Sequence, residues 1–284
     1  MSKPIVIYHA NCIDGFTAAW CFWYHFGDAF EYHPGVYNEA PPDVTDREVY
    51  LVDFSYSLDV MQEKIIPFAK SVVMLDHHKS ALESLAPLRS KIDMRFCTND
   101  NSGAYIAWDY LQFKLGKEQP PPKVLLHIQD RDLWRFYLPE TKAIAEYVFA
   151  QEYDFDAWSK MMLATEKEIE TFRIIGETLY KRKRKEALEL IEVARYYAII
   201  DGVTVPVVNS PYFYASEIGE ELSKHMPFAA TYYDTGAHRV FSLRSNASYW
   251  NAVDVSKIAA KFNGGGHFHA AGFKVSRTHV LGCL

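Results

Sequence analysis

The sequence predicts an α/β protein whose first half carries a mostly parallel sheet. Short runs rich in valine, isoleucine and leucine alternate with helical stretches through this half, as in successive strand–helix–strand units. Several of these runs end at, or lead directly into, histidine or aspartate. A long helical pattern then separates this half from a smaller β-rich segment. We therefore expect a parallel-sheet N-terminal domain, a helical connection and a smaller α/β C-terminal domain.

The elements of the first half follow from apolar runs and helical periodicity between turn residues. We predict strands at Pro4–Tyr8, Ala29–His33, Glu48–Asp53, Ser71–Asp76 and Ile92–Cys97. We predict helices at Gly15–Phe26, Leu58–Ala69, Gly103–Leu115, Val124–Gln129 and Thr141–Phe149.

The second half opens with a helical pattern from Glu166 to Ala194 that contains the basic run Lys181–Lys185. We interpret this run as a solvated helix face, with an electrostatic aid to nucleic-acid approach as the alternative. Strands follow at Ala198–Ile200, Val203–Val208, Phe228–Tyr233 and Arg239–Arg244, with helices near Ser216–His225 and Asp254–Phe262. The predicted domains are 1–165 and 195–284, joined by a helical linker at 166–194.

Composition limits the classes of protein to which the chain can belong. Its 284 residues are 49% hydrophobic and 23% charged, which suffices for a buried core. The net charge of −6 argues against a protein that coats long duplex DNA. We find no apolar run of bilayer length and no signal pattern, so we expect a cytoplasmic protein without membrane contact. The four cysteines have no paired spacing and are expected to be reduced thiols: Cys12, Cys21, Cys97 and Cys283.

Histidines and carboxylates cluster where the first-half strands end. In an open parallel sheet the ligand site lies beyond the carboxyl ends of the strands, so these side chains should meet there. The set is His9, Asp14, Asp53, Asp76, His77 and His78. Grouped carboxylates and imidazoles would be costly to desolvate without a cation. The mixture suits Mn²⁺ well and Mg²⁺ less well, and Zn²⁺ stays open; more than one ion is expected.

A further carboxylate comes from the segment that contains Asp130 and Asp132. These two side chains point apart on a helix or turn, so only one is expected to face the metals. Asp132 could instead pair with Arg131 or Arg135 at the surface.

The other chemical signal is Gly264-Gly265-Gly266-His267, which is followed by Ala270-Ala271-Gly272. Consecutive glycines expose backbone N–H groups and allow an anion to approach closely, although a hairpin turn is the simpler alternative. Arg244 ends a predicted strand and could hold a phosphate by a bidentate hydrogen bond, or could be an ordinary exposed arginine. These features suggest a two-domain cleft with metals on one wall and an anion loop on the other. Paired metals are a standard device for displacement at phosphorus.

These residues resemble the DHH phosphoesterase superfamily. Asp76-His77-His78 matches its signature, and the glycine-rich segment is similar to the motif of its DHH-associated C-terminal domain, so the resemblance covers nearly the whole chain. It implies two Mn²⁺ or Mg²⁺ ions in the first domain and a second domain that binds substrate. The implied metal ligands are His9, Asp14, Asp53 as the bridging residue, His77 and Asp130. Asp130 is preferred because Trp134-Arg135-Phe136 follows it like a tail common in that motif.

The resemblance also assigns roles in catalysis and in substrate binding. His77 and His78 would act at the reaction centre, with Asp76 orienting the signature. The implied substrate contacts are Arg244, Gly264, Gly265, Gly266 and His267. The first motif departs from the family pattern, because it has His9-x-Asn11-x-x-Asp14-Gly15 and lacks one aspartate. Asn11 or nothing stands in its place, which leaves the number of metal ions open.

Three functions are compatible with the sequence. The first is a metal-dependent phosphodiesterase that cleaves short oligonucleotides to mononucleotides by two-metal activation of water. The second is a hydrolase of a small nucleotide, such as a cyclic dinucleotide or pAp. The third is a regulator that binds a nucleotide without hydrolysing it, which the missing aspartate makes plausible. Whether the chain forms a homodimer stays open.

Overall fold

The computed structural model describes the backbone of residues 2–283 and the side chains of residues 2–281. The chain divides into two compact units, Met1–Tyr180 and Lys181–Leu284. The long helix predicted after Thr165 is present at Glu166–Ala194, and the boundary between the units falls within it. Within the described part of the chain, no helix combines the length and the apolar character needed to cross a bilayer.

The first unit is built on a four-stranded parallel sheet. Its strands are β1 (Ile5–His9), β2 (Glu31–Gly35), β3 (Glu48–Val52) and β4 (Ser71–Leu75), in the spatial order β2-β1-β3-β4. Side chains alternate between the two faces, as a strand requires. Val6 and Val52 belong to a core on one face, while Ile7 and Leu51 belong to a core on the other. The predicted α/β architecture is therefore confirmed.

Seven α-helices, the longest of about four turns, precede the long helix in the described part of this unit. They are α1 (Ile13–Phe26), α2 (Leu58–Val60), α3 (Lys79–Ser84), α4 (Gly103–Leu115), α5 (Lys123–Asp132), α6 (Thr141–Phe149) and α7 (Phe155–Met162). Helices α3 and α7 were not predicted. The long helix Glu166–Ala194 is α8.

One predicted element of the first unit is wrong, and another is confirmed only in part. Residues 92–97 form no strand; a single bridge joins Asp93 to Val73, after which the Asp93 carboxylate accepts hydrogen bonds from Arg95 and the chain turns away. The predicted helix Leu58–Ala69 is a short α-helix that passes into a π-helical turn at Met61–Ile65. Pro67 has no N–H with which to continue the helix.

The second unit is built on a six-stranded mixed sheet. Its strands are β5 (Arg195–Ile200), β6 (Val203–Asn209), β7 (Ala229–Thr235), β8 (His238–Arg244), β9 (Gly265–His267) and β10 (Ala270–Ser276), in the order β5-β6-β7-β8-β10-β9. Among the described strands of this sheet, β6 and β7 alone pair in parallel. Helices α9 (Ala215–Leu222) and α10 (Val255–Ala260) complete the unit.

The basic run at the start of the second unit is paired with glutamates. Arg182 and Lys185 form ion pairs one turn along the helix with Glu186 and Glu189. Lys183 lies 3.1 Å from Glu217, which belongs to α9. This pairing favours the interpretation of the run as an ordinary charged helix face.

Candidate metal centre

The register of the parallel sheet brings the predicted strand-end residues together. Tyr8 pairs with Val52, and Val52 pairs with Leu75, so β1, β3 and β4 end at the same level. The Asp53 N–H continues the ladder by donating to the Leu75 carbonyl at 2.9 Å. His9, Asp53 and Asp76 therefore emerge side by side, as the sequence predicted. Asp53 has a φ of +52°, an unusual conformation for a residue with a side chain and one often retained at functional sites.

Two glycines allow helices to approach these strand ends closely. A Cβ atom at Gly15, in the first turn of α1, would lie 2.6 Å from the His9 carbonyl oxygen. A Cβ at Gly103, the first residue of α4, would lie 2.5 Å from the Asp53 Cβ and 3.0 Å from Asp14 Oδ2. Asp14 is fully buried, and its carboxylate accepts a hydrogen bond from the Ala104 N–H at 3.2 Å. The absence of a side chain at both positions thus allows α1 and α4 to lie against the cluster.

Three carboxylates converge on the Nε2 atom of His77. This atom lies 3.1 Å from Asp53 Oδ1, 3.4 Å from Asp132 Oδ2 and 3.8 Å from Asp14 Oδ2. His77, Asp53 and Asp14 are almost completely buried. The Asn99 side chain donates to the His77 carbonyl at 2.7 Å and so helps to fix the backbone here. His77, Asp14 and Asp132 form one group of side chains that could hold a cation.

Asp76 orients the two histidines that follow it. Its Oδ1 atom accepts the backbone N–H groups of His77 and His78 at 2.7 and 3.2 Å. The same oxygen lies 2.8 Å from His78 Nδ1. His78 Nδ1 is also 3.7 Å from Asp53 Oδ1, so His78 stands beside the cluster. The role of Asp76 in orienting the signature histidines for catalysis stays a prediction.

A second group forms on the other oxygen of Asp53. His9 Nδ1 lies 3.5 Å from Asp53 Oδ2, and the Cys12 thiol donates to the same oxygen at 3.4 Å. Ligand atoms of His9, Cys12 and Asp53 all lie within 4.8 Å of one another. Asp53 therefore faces the imidazoles of His77 and His78 with one oxygen, and an imidazole and a thiol with the other.

The crowding of carboxylates shifts their protonation. Burial, followed by the negative charges of Asp53 and Asp132, raises the pKa of Asp14 well above its ordinary value. Burial also raises the pKa of Asp132. Burial opposes ionisation of Asp53, but the hydrogen bond with His77 and the neighbouring imidazoles hold its pKa well below the usual range. A cation would satisfy all three carboxylates, whereas protons satisfy them only in part.

The histidines respond in the opposite direction. Burial favours the neutral ring of His77, but the hydrogen bond to Asp53 and the charge of Asp132 outweigh it and raise the pKa of His77 to about 10. The pKa of His78 is also raised, because the charge of Asp76 and its hydrogen bond to the ring outweigh the effect of burial. Without a metal ion, the protonated imidazole of His77 therefore supplies positive charge to the cluster.

The structure reverses the choice between Asp130 and Asp132. Both oxygens of Asp130 are used locally, by the N–H groups of Tyr137 and Leu138 at 2.8 and 3.1 Å and by the Thr141 hydroxyl at 2.6 Å. Asp130 thus ties the turn after α5 to the start of α6 and does not face the cluster. Asp132 faces it instead, at the end of α5. The tail Trp134-Arg135-Phe136 favoured Asp130, and nothing in the local sequence pointed to Asp132 instead.

Cys12, not Asn11, stands beside the metal-ligand candidates. Asn11 is exposed and has a φ of +54°, which suits asparagine in a tight turn. Cys12 is the residue that reaches Asp53. Sequence reasoning missed Cys12, although its position two residues before Asp14 was a usable signal. Cys12, Cys21 and Cys97 are all free thiols, as predicted, and the Cys283 side chain lies outside the described residues.

The glycine-rich segment of the second unit forms a strand rather than an open loop. Gly265, Gly266 and His267 make up β9, which pairs antiparallel with β10. Gly266 has a φ of +140°, and a Cβ there would lie 2.5 Å from the Ala270 carbonyl oxygen. A Cβ at Gly264 would lie 2.1 Å from the Gly272 carbonyl oxygen. Close strand packing therefore accounts for these glycines, and contact with an anion stays a proposal.

Arg244 ends β8, as predicted, and is held by α9. Its guanidinium donates to the Ser216 hydroxyl at 3.2 Å and to the Leu243 carbonyl at 2.8 Å. A Cβ at Gly219 would lie 2.4 Å from the Arg244 Cγ, so the arginine stem packs tightly on that helix. Arg244 is therefore an oriented side chain rather than a loose surface one.

A sequence comparison finds a viral relative of the chain. No family model matches the chain. The chain is 31% identical over 303 residues to the uncharacterized protein R106 of Acanthamoeba polyphaga mimivirus. The match covers 99% of this chain and 69% of the viral protein.

Two of the solved structures that match the chain illustrate the likeness in fold. One is the DHH domain of a member of the s1p family of ribosomal proteins, with a TM-score of 0.56, 15% identity and coverage of 96% of this chain and 83% of that one. The other is PggH, a pGpG-specific phosphodiesterase from Vibrio cholerae, with a TM-score of 0.51, 11% identity and coverage of 97% and 94%. At these identities the likeness concerns the fold.

Proposed function

We propose that this chain, which belongs to the family of the mimivirus protein R106 and has the DHH-domain fold, hydrolyses phosphoester bonds with divalent metal ions. The resemblance predicted from Asp76-His77-His78 is confirmed at the level of the fold. The observation that carries the proposal is the position of Asp53. One of its oxygens faces His77 and the other faces His9, which is the arrangement that a carboxylate shared between two cations needs.

The residues present fit metal ions. Among the described residues, His9 Nδ1 and Asp132 Oδ2 are buried atoms that have no hydrogen-bond partner. Both point at the Asp53–His77 cluster, within 3.5 Å of one of its atoms. Such atoms are costly to bury unless a further partner is supplied. Divalent cations would complete both, with Asp14, Asp53, His77 and Asp132 around one ion and His9 and Asp53 on the other.

Bound divalent ions would lower the pKa of a coordinated water and stabilise negative charge at phosphorus. The protein would hold the ligands in place. Asp76 accepts the backbone N–H groups of His77 and His78 and also contacts the His78 ring, so that both histidines keep their orientation. His78, beside Asp53, is the side chain available to donate a proton to substrate or leaving group.

We propose short oligonucleotides as the substrate, cleaved to mononucleotides. A net charge of −6 disfavours long nucleic acid, and PggH, which shares the fold, acts on the dinucleotide pGpG. Arg244 and His267 would contribute to binding of the substrate. The hydrogen bond from Arg244 to Ser216, which orients the guanidinium, supports this role for Arg244. The regulator hypothesis has one supporting observation, because Asn11 brings no carboxylate to the cluster.

The test is a hydrolysis assay with a defined panel of substrates and metals. Metal-stripped protein is supplied with Mn²⁺, Mg²⁺ or Zn²⁺ and given a five-nucleotide RNA, pGpG, a cyclic dinucleotide, pAp and a long single strand. We expect the short linear substrates to be cleaved, chelator to abolish cleavage, and Asp53→Asn to lose both metal binding and activity. The exposed Asp59→Asn is the matched control and should behave as wild type.

Two outcomes would contradict the proposal. Full activity in chelator would exclude the metal mechanism. Tight binding of a nucleotide with no turnover under any metal would favour the regulator instead.

A further inference from the structure

Cys12 occupies an unusual position for a cysteine. It is the residue immediately before α1, where a side chain normally accepts a hydrogen bond from the first turn of the helix. Cys12 makes no such capping bond. Its thiol points to Asp53 Oδ2 instead, at 3.4 Å. The side chain is therefore directed into the carboxylate cluster rather than toward its own helix.

A second observation points to a missing partner at the same place. His9 Nδ1, which lies 3.5 Å from the same Asp53 oxygen, is buried without a hydrogen-bond partner within the described part of the chain. The ligand atoms of His9, Cys12 and Asp53 lie within 4.8 Å of one another, close enough for one ion to reach all three. An imidazole, a thiol and a carboxylate form a donor set that suits a borderline cation.

We propose that Cys12 binds the metal as a thiolate, together with His9 and Asp53, and that this side of the centre therefore selects Zn²⁺ or Co²⁺ over Mn²⁺. The inference rests on the proposed metal centre and refines it. When the ion binds, the thiol proton leaves for solvent, and a sulfur–metal bond replaces the hydrogen bond to Asp53. Thiolate favours zinc and similar ions, whereas carboxylate ligands favour manganese and magnesium.

Four variants separate ligation by sulfur from a merely structural thiol. Cys12→Ser keeps a hydrogen-bond donor and removes sulfur, and Cys12→Asp offers a harder oxygen ligand. Asn11→Asp is the control for added charge, because it places a carboxylate one residue away on an exposed side chain. Cys97→Ser is the control for loss of a thiol, since Cys97 donates to the Met74 carbonyl at 3.2 Å and lies outside both groups around Asp53.

The experiment is a cobalt titration of the full, metal-stripped chain followed by absorbance. We expect visible ligand-field bands together with a near-ultraviolet sulfur-to-cobalt charge-transfer band in wild type, Asn11→Asp and Cys97→Ser. Both Cys12 variants should keep the visible bands and lose the charge-transfer band. In Cys12→Asp, the affinity for Zn²⁺ relative to Mn²⁺ should fall by at least about tenfold, the scale on which altered metal surroundings act.

The outcomes distinguish this inference from the proposed function. Visible bands without charge transfer in wild type would leave the metal centre standing and overturn the role of Cys12. Absence of binding by Co²⁺, Zn²⁺ and Mn²⁺ would overturn both.

A second measurement keeps the inference testable should the Cys12 variants fail to fold. Wild-type protein is treated with a maleimide, with and without Zn²⁺, and the labelled peptides are quantified by mass spectrometry. Zn²⁺ should slow labelling of Cys12 and leave that of Cys97 unchanged. Equal labelling of Cys12 in both conditions would overturn the proposal.

Discussion

At the scale of single residues, two aspartates two positions apart have different tasks. Asp130 accepts three local hydrogen bonds, whereas Asp132 places an oxygen that has no hydrogen-bond partner 3.4 Å from His77 Nε2. Residue type and spacing could not separate them, because the choice depends on how the turn after α5 folds back. Residue types at the strand ends were informative, because the carboxyl ends of neighbouring parallel strands lie at the same edge of the sheet.

Asp130→Asn and Asp132→Asn should therefore have opposite consequences. Asp130→Asn weakens the bonds that tie the turn to α6, and should lower the free energy of unfolding by about 1–3 kcal/mol, the cost of disturbing buried hydrogen bonds. Asp132→Asn relieves crowding of charge, so it should leave metal-free stability near wild type and weaken metal binding. Urea unfolding and calorimetric metal titration measure the two effects. Weakened metal binding by a folded Asp130→Asn protein, with Asp132→Asn unaffected, would restore Asp130 as the ligand.

At the scale of elements, the strands of the first sheet could be predicted and two other elements could not. Apolar runs that end in polar residues gave β1, β3 and β4 nearly to the residue. Residues 92–97 alternate apolar with charged residues, as a half-buried strand can, but the bonds of Asp93 to Arg95 turn the chain away after one bridge. The glycines at 264–266 looked like an anion loop, yet their lack of side chains allows strand packing. At residues 92–97 and at the glycines, contacts with other parts of the chain therefore determine the local structure.

Gly103→Ala tests the close approach of α4 to the site. Alanine in a helix normally stabilises relative to glycine. Here its Cβ would lie 2.5 Å from the Asp53 Cβ, so we expect destabilisation by about 1–3 kcal/mol from overpacking, with weaker metal binding. Gly236→Ala is the control, because its Cβ would meet nothing within 4 Å. Thermal unfolding compares them, and a Gly103→Ala protein more stable than wild type would refute the steric role of this glycine.

At the scale of the whole molecule, the excess of acidic residues has a local counterpart in the first unit. The side chains of Asp14, Asp53 and Asp132 gather within a few ångströms of His77, and all four belong to Met1–Tyr180. Protons on imidazole or carboxyl groups must balance this charge whenever no cation is bound. Stability of the protein is therefore linked both to pH and to metal.

The sign of the pH dependence follows from His77. Its pKa is raised from 6.5 to about 10, so the folded protein binds this proton more tightly than the unfolded chain does. The stabilisation is complete below about pH 6.5 and is lost as the pH rises from there through about 10. In chelator, the free energy of unfolding in urea should thus decline over this range in wild type and decline less in His77→Gln. Saturating metal should reduce the decline, because a cation replaces the proton as the balancing charge. A wild-type protein that gains stability over this range in chelator, relative to His77→Gln, would show that His77 is not held in its charged form by these carboxylates.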